Sequence, residues 1–363
     1  MGVRGLAKTE SGHAAEGFAP PTPARTQGGG ILTGMHRRRA HQDRSLGGSP
    51  SRVGVVAVVL PAYRTASSIR AVIDRVPPSV RHVIVVDDAS PDGLSTVVTA
   101  IGDPRILLVS HDTNRGVGGA MKTAFERALE LGADVVVKLD SDGQMDPALI
   151  PAFLAPLTEG RADFAKGNRF ADLSVIAAMP RLRRCGNLAL SFLVKAASGY
   201  WSLFDPCNGY LAISRDLLQD IRRDKLADRY FFEISLLCES YRAGGVVLDI
   251  DMHPRYGDEI SSLSPMRSLF EFSGGLLVRT ARRIGFTYFL RDFTVVSVFI
   301  AAGVPLMGFG VLWSAYHWYR SWVTNVVAST GTVMIGTLAI ILAFQLLLQA
   351  VVLDVENEPG RER

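Results

Sequence analysis

The sequence predicts an α/β domain with a doubly wound, mostly parallel sheet, followed by two helices that cross a membrane. Two observations carry this. Between residues 53 and 150, short runs of Val, Ile and Leu alternate with helix-period segments, the pattern of strands buried on both faces. Later, residues 293–319 and 321–353 contain no Asp, Glu, Lys or Arg, and each is long enough for a span of about 20 residues. Composition agrees: apolar residues make up 48% and charged residues 20% of 363, and mean hydropathy is +0.19. Such a chain is not a disordered protein, a collagen or a disulfide scaffold.

The elements follow in order. Residues 1–52 are rich in Gly, Pro, Ser and Arg and read as a disordered basic leader, with Met35 as an alternative start. They carry eight Lys/Arg against three acids, so most of the net charge of +4 sits in this segment. The basic balance is therefore a tail effect, and no nucleic-acid partner is expected. Strands are predicted at Val55–Leu60, His82–Val86, Arg105–Val109 and Asp134–Leu139. Helices are predicted at Ser67–Arg75, after Pro91, and over Val117–Leu131. The domain is expected to occupy 53–260. Residues 261–291 interleave Phe, Leu, Ile and Arg and suit interfacial helices. The two spans fall within 292–354, most simply at 293–315 and 331–353, and 355–363 form a tail.

Charge around the spans predicts orientation. Arg267, Arg279, Arg282, Arg283 and Arg291 precede the first span, whereas the connecting loop offers only Arg320. By the positive-inside rule the domain and both termini lie in the cytosol, in an integral membrane protein. Trp313, Tyr316, Trp318, Tyr319 and Trp322 read as interfacial aromatics. Gly303, Gly308 and Gly310 suit close helix packing and a homo-oligomer through the spans. Cys185, Cys207 and Cys238 have neither CxxC nor zinc spacing.

Ligands of such sheets bind beyond the C-terminal ends of the strands, and the polar residues cluster there. Asp140-Ser141-Asp142-Gly143-Gln144 sets two carboxylates two residues apart, a spacing that lets both reach one hard divalent cation. A turn with solvated aspartates explains the same residues. Asp87 and Asp88 suit a base or ribose, or equally a helix cap. Asn114-Arg115-Gly116-Val117-Gly118-Gly119 opens a helix, where glycines permit close backbone approach and the N-terminus favours an anion. It lacks GxGxxG spacing and follows the third strand, which excludes a dinucleotide fingerprint.

Pro61-Ala62-Tyr63, Val86-Asp87-Asp88-Ala89-Ser90, Asn114-Arg115-Gly116, Asp140-Ser141-Asp142-Gly143-Gln144, Lys166-Gly167-Asn168-Arg169-Phe170 and Asp205-Pro206-Cys207-Asn208-Gly209-Tyr210 occur in that order. This series resembles family 2 glycosyltransferases of GT-A fold, and within them the dolichyl-phosphate mannose synthase group of polyprenyl-phosphate hexosyltransferases. The resemblance implies a nucleoside pocket of Pro61, Ala62, Tyr63, Asp87 and Asp88, with Asn114, Arg115, Gly116 and Ser141 beside the nucleotide sugar. It implies Mg²⁺ or Mn²⁺ on Asp140, Asp142 and Gln144, and Asp205, Asn208 and Gly209 near the sugar. Arg169 would face the donor phosphates or the acceptor phosphate. Glu233 would orient the sugar or acceptor, a buried structural role being its alternative. Arg183, Arg184 and Arg255 are the further candidates for the acceptor phosphate. Two departures stand out: Arg64-Thr65 replaces the usual Asn-Glu, and Ala89 the usual Gly. A Gln-x-x-Arg-Trp motif is missing, against a processive synthase.

The function this implies is metal-dependent, inverting transfer of a hexose from a nucleotide sugar, of UDP-glucose or GDP-mannose type, to a polyprenyl phosphate at the cytosolic membrane face. Two alternatives stay open. One keeps the fold but uses a glycan or another lipid as acceptor, which would make Glu233 or Asp205 essential as a base. The other is a non-catalytic, membrane-tethered scaffold that binds nucleotide sugar.

Overall fold

The computed structural model describes residues 54–170, 181–229, 231–252 and 265–360; the side chains of 181–183 and 265–273 also fall outside the description. The basic leader, Arg255 and the side chain of Arg183 lie outside the described residues.

Seven strands form one sheet in the order β3-β2-β1-β4-β6-β5-β7. They are β1 Val56–Ala62, β2 His82–Asp87, β3 Ile106–Ser110, β4 Val135–Lys138, β5 Phe164–Asn168, β6 Leu211–Ser214 and β7 Val247–Asp251. The first four in space run parallel, β6 is antiparallel to both neighbours, and β5 and β7 are parallel again. The mostly parallel α/β architecture is the predicted one. The predicted strands shift by one or two residues, as when β1 runs on through Pro61 and Ala62.

All seven β1 residues are buried. Side chains alternate across a strand, so Val56, Val58 and Leu60 enter one core and Ala57 and Val59 the other. The first core is closed by α1 (Ile69–Ile73), α2 (Leu94–Thr99) and α4 (Ile150–Thr158), the second by α3 (Gly116–Glu130), α6 (Arg215–Asp220) and α7 (Phe232–Arg242). Helices on both faces explain why these strands read as continuous apolar runs.

The C-terminal part packs on that domain through α5 (Arg181–Ser198) and α8 (Pro265–Gly285). Two long helices follow, α9 (Val295–Thr324) and α10 (Thr330–Glu356), with mean hydropathy 2.3 over their most apolar windows. Thirty and 27 residues rise about 45 and 40 Å, more than the ~30 Å hydrocarbon core of a bilayer. Their Val, Leu, Ile and Phe side chains are largely exposed, as a lipid-facing surface would be. Gly303 and Gly310 do not lie open for a second copy. A Cβ on Gly303 would come 3.0 Å from Leu347, and one on Gly310 2.8 Å from Ile340, so both bring α9 against α10 within the chain. Gly308 has nothing within 4 Å.

A buried carboxylate ties the end of α10 to the domain. Asp354 accepts from Arg283 (both 2.8 Å), Tyr288 Oη (2.6 Å) and Trp201 Nε1 (2.9 Å). Arg283 also donates to the Ala196 carbonyl at the end of α5. Glu358 continues the seam, accepting from the Ser202 N–H. Three elements therefore meet at one ion pair whose side chains are each 8% exposed.

Asp354→Asn leaves the Arg283 guanidinium buried without its counter-charge. It is expected to cost about 3 kcal/mol, read as a lowered thermal unfolding temperature of the detergent-purified chain. A second outcome concerns Asp249 on β7. Burial pushes its carboxyl up to about 6, against the Phe204 N–H it accepts. A carboxyl raised in the folded state is best tolerated below its unfolded value, and stability falls as pH rises through the folded one. Asp249→Asn should therefore stabilise by about 1–2 kcal/mol near neutral pH, and the gain should vanish by about pH 4 in a pH series of melting curves.

Candidate active site

The C-terminal ends of β1, β2 and β4 open onto a cavity of about 470 Å³. Pro61, Ala62, Tyr63, Thr65, Asp88, Asn114, Gly116, Val117, Ala120, Asp140, Ser141, Asp142 and Arg229 line it. Register explains the convergence. Ala62 pairs with Asp87, so the loops after β1 and β2 leave the sheet level with each other, while β4 ends at the same edge beside Val59, three residues earlier. Of the predicted residues, Pro61, Ala62, Tyr63, Asp88, Asn114, Gly116, Asp140, Ser141 and Asp142 are brought together here. Tyr63 is 42% exposed, with the Arg64 guanidinium 5.3 Å from its ring centroid.

The paired aspartates at the end of β2, Asp87 and the following Asp88, are structural first. Asp88 Oδ1 accepts the Arg115 N–H (2.8 Å) and lies 2.8 Å from His111 Nδ1; Oδ2 accepts the Gly116 N–H (2.7 Å). Asp88 thus caps the free N–H groups at the start of α3 and supplies the anion that a helix N-terminus favours. Asp87 accepts from the Ser90 N–H (2.8 Å) and from the Ser95 hydroxyl, and is not among the residues lining the cavity. Asp87 thus serves here as a tie between the turn at Ser90 and the helix carrying Ser95. Arg64 and Ala89, the two departures from the family pattern, both adopt φ of 57°, and the Arg64 N–H donates to the Ser90 hydroxyl at 2.7 Å.

The glycines opening α3 allow a close approach, but of the chain to itself. A Cβ on Gly118 would fall 1.9 Å from the Ala227 carbonyl, and one on Gly116 2.6 Å from that of Asp228. Segment 227–229 therefore lies on the helix start and carries Arg229 into the cavity wall. Arg115 itself is not among the lining residues.

The loop after β4 is held by Ser141, whose hydroxyl donates to the Pro61 carbonyl (3.0 Å) and meets Thr65 Oγ1 (3.0 Å). Asp142 Oδ1 accepts the Gln144 N–H (2.9 Å). Gln144 is exposed and is not among the lining residues, so the metal role expected for its side chain is not prefigured here. Asp140 Oδ1 accepts from Lys138 Nζ at 2.6 Å. Lys138 is 1% exposed and also reaches the Gly209 carbonyl (3.1 Å) and Glu233 Oε1 (3.3 Å). Burial works against its ammonium, yet Asp140 and Glu233 outweigh burial and hold its pKa above the ordinary lysine value.

Lys166, wholly buried on β5, donates to the Asn208 carbonyl. Here burial prevails and lowers the pKa, with Glu233 and Asp205 opposing. Asp205, 1% exposed, holds the Arg169 guanidinium through Oδ2 (2.7 Å) and Oδ1 (3.2 Å). Asn208, also 1% exposed, donates to Asp205 (3.3 Å) and accepts the Tyr210 N–H (2.9 Å). Asp205, Asn208 and Glu233 are thus not among the lining residues: Asp205 is paired with Arg169, while the Asn208 carbonyl and the Glu233 carboxylate meet the buried lysines. Gly209 is where the two regions touch, because a Cβ there would meet Asp140 Oδ2 at 2.6 Å. Arg184 lies half-buried on α5 and is not among the lining residues.

Sequence reasoning missed Thr65, Val117, Ala120, Arg229, Lys138 and Lys166. The lysines had a signal: each is a charge inside a strand of otherwise apolar or small residues. Arg229 had none, since the contact of segment 227–229 with α3 is tertiary.

Two carboxylates at the C-terminal edge of a mostly parallel sheet, beside a cavity of ligand size, belong here to a glycosyltransferase. Residues 57–222 match the glycosyl transferase family 2 pattern, and the chain belongs to that family. It is 30% identical over 200 residues to the undecaprenyl-phosphate mannosyltransferase of Micrococcus luteus, covering 54% of this chain and 81% of that one. It is 28% identical over 191 residues to the UDP-N-acetylglucosamine–dolichyl-phosphate N-acetylglucosaminyltransferase of Methanococcus voltae, covering 48% and 76%. Similarity to glycosyltransferase AglJ of Haloferax volcanii extends further, 27% over 315 residues, or 85% of this chain and 95% of that one.

Replacing Asp88 by Asn puts an amide where two backbone N–H groups converge. The variant is expected to lose about 1–2 kcal/mol in thermal unfolding and to bind UDP or GDP more weakly by calorimetry.

Proposed function

We propose that the chain transfers a hexosyl group from a nucleoside diphosphate sugar to a polyprenyl phosphate, with inversion, at the cytosolic face of a membrane. The observation that carries this is one cavity edged by Asp140 and Asp142, in a domain clamped through Asp354 to two bilayer-length apolar helices. A polyprenyl phosphate keeps its tail in lipid and its phosphate at the interface. The enzyme must hold its site close to that plane.

The donor set suits a divalent cation. Asp140 and Asp142 offer oxygen only, the chemistry Mg²⁺ and Mn²⁺ prefer. Among the described residues no three His, Cys, Asp or Glu converge, so the protein fills few coordination positions and leaves the rest to diphosphate and water. When bound, the cation supplies charge neutralisation to the leaving nucleoside diphosphate. The remaining work falls to the chain. Tyr63 provides an exposed ring for the base, the loops after β1 and β2 shape the nucleoside pocket, and Arg229 adds a positive charge to the wall. Arg169, held by Asp205, presents a fixed guanidinium suited to a phosphate.

In the reaction an acceptor phosphate oxygen attacks the anomeric carbon as its bond to the diphosphate oxygen breaks. The electron pair leaves with the nucleoside diphosphate. The acceptor is already an anion near neutral pH and needs no proton removed. This agrees with Glu233, whose carboxylate is engaged with the buried Lys138 ammonium and is poorly placed to serve as a base.

The test is transfer by the purified full chain in detergent micelles, with Mg²⁺ or Mn²⁺ and a polyprenyl phosphate. Labelled UDP-glucose, UDP-galactose, UDP-N-acetylglucosamine and GDP-mannose are offered in turn. Label should enter the lipid phase from one donor, and Asp142→Asn should lower the rate about 100-fold or more. Nucleotide binding without transfer from any donor would move the reading to another acceptor.

A further inference from the structure

The lysine behind the first carboxylate of the Asp140/Asp142 pair is an unusual neighbour for a cation site. All three donors of the Lys138 ammonium have an acceptor: Asp140 Oδ1 at 2.6 Å, the Gly209 carbonyl at 3.1 Å and Glu233 Oε1 at 3.3 Å. At 1% exposure no water need complete the set. Asp140 alone leads from this buried group to the cavity, with its side chain 34% exposed.

We propose that Lys138 is an internal counter-ion that makes divalent-cation binding at Asp140 and Asp142 conditional on the nucleotide. The inference rests on the metal reading given above. A dication approaching the bare pair meets a fixed ammonium hydrogen-bonded to one of its two carboxylates, and their repulsion weakens binding. A nucleoside diphosphate brings several negative charges to the same place. It offsets the ammonium, so cation and nucleotide bind better together than apart, and each raises the affinity of the other by the same factor.

Glu233 sets how much of the lysine charge Asp140 feels. It draws on the same ammonium from α7 and neutralises part of it. The two residues should therefore act in opposite directions. Without Lys138, the bare site gains a net negative charge and holds a cation more tightly. Without the Glu233 charge, Lys138 is left to Asp140 alone, and the bare site holds a cation less tightly. If Lys138 merely kept the loop in shape, both substitutions would weaken cation binding. Lys138 and Glu233 are positioning residues here, acting through Asp140.

The experiment is titration of the full-length, detergent-purified chain with Mn²⁺, read by electron paramagnetic resonance of free Mn²⁺. It is done without nucleotide and with UDP or GDP. The wild type should bind Mn²⁺ about tenfold or more tightly when one of the nucleotides is present. Lys138→Met should tighten binding of Mn²⁺ alone by about tenfold and shrink the nucleotide effect. Glu233→Gln should weaken binding of Mn²⁺ alone. Equal wild-type affinity with and without both nucleotides overturns the proposal. So does unchanged or weaker Mn²⁺ binding by a Lys138→Met protein that still unfolds cooperatively. If that variant does not fold, Glu233→Gln decides, and unchanged or tighter binding overturns the proposal. A wild type that binds no Mn²⁺ under any condition overturns the metal reading and this inference together. Nucleotide-coupled binding with the two opposite shifts, but no sugar transfer, supports the inference and removes only the acceptor assignment.

Discussion

A buried ammonium has to be met by acceptors, because the cost of leaving a charge unpaired in an apolar interior exceeds the stability of most domains. Lys138, at the end of β4, imposes that demand at the centre of the sheet. Its surroundings read as the answer. Asp140 turns back to it, Gly209 lets its carbonyl come within reach, and Glu233 is supplied by the first turn of α7. Lys166 repeats the demand one strand away, since both lysines pair in register with Leu211 of β6. The turn at 205–210 answers it with the Asn208 carbonyl. The antiparallel insertion of β6 is what delivers this turn to the back of the cavity. Reversing one strand puts the loop before it at the same sheet edge as the loop after β4.

From this follows a division of labour among the carboxylates. Asp87, Asp88, Asp205 and Glu233 are held by backbone N–H groups and hydroxyls, by the Arg169 guanidinium in the case of Asp205, and by the buried Lys138 in that of Glu233. Asp140 and Asp142 line the cavity, and only Asp140 of the two is tied to a buried cation among the bonds described. Of the six acids near one site, Asp88, Asp140 and Asp142 line the cavity, and Asp88 among them also holds the start of α3. Catalytic geometry of this kind depends on supports that are themselves locked.

Much of this was legible in the residues. Strands buried on both faces announce themselves as continuous Val and Ile runs, and charge-free stretches of bilayer length announce α9 and α10. The order of the motifs gave the family, and nine of its site residues line the cavity. What could not be read was the direction in which an acidic side chain is spent. Asp87 and Asp88 are adjacent, yet Asp88 reaches the cavity and Asp87 a turn, and no local pattern tells the two apart. The glycines of α3 show the same limit: close approach was foreseeable, but its partner, segment 227–229, is more than a hundred residues away. Gly303 and Gly310 pack against α10 within the chain, although the same pattern on an isolated helix suits a second copy equally well. Burial of Asp205 and Asn208 depends on the reversed strand, which no local pattern in Leu211–Ser214 distinguishes from a parallel one.

The remaining step links the sheet to the membrane. An acceptor with a lipid tail arrives along a plane, so a cavity at the sheet edge is useful only if its height above that plane is fixed. Helices joined to a domain by a flexible linker would not fix it. Asp354 instead ends the second long helix in a cluster with Arg283, Tyr288 and Trp201, while Arg283 also grips the last turn of α5. Charge pairs buried at such a junction add little net stability compared with apolar packing of the same volume, but they tolerate few alternative arrangements. The proposed phosphate acceptor makes that trade reasonable. A nucleophile that is already ionised asks the protein for position more than for a base, and position is what a rigid seam between helix and domain provides.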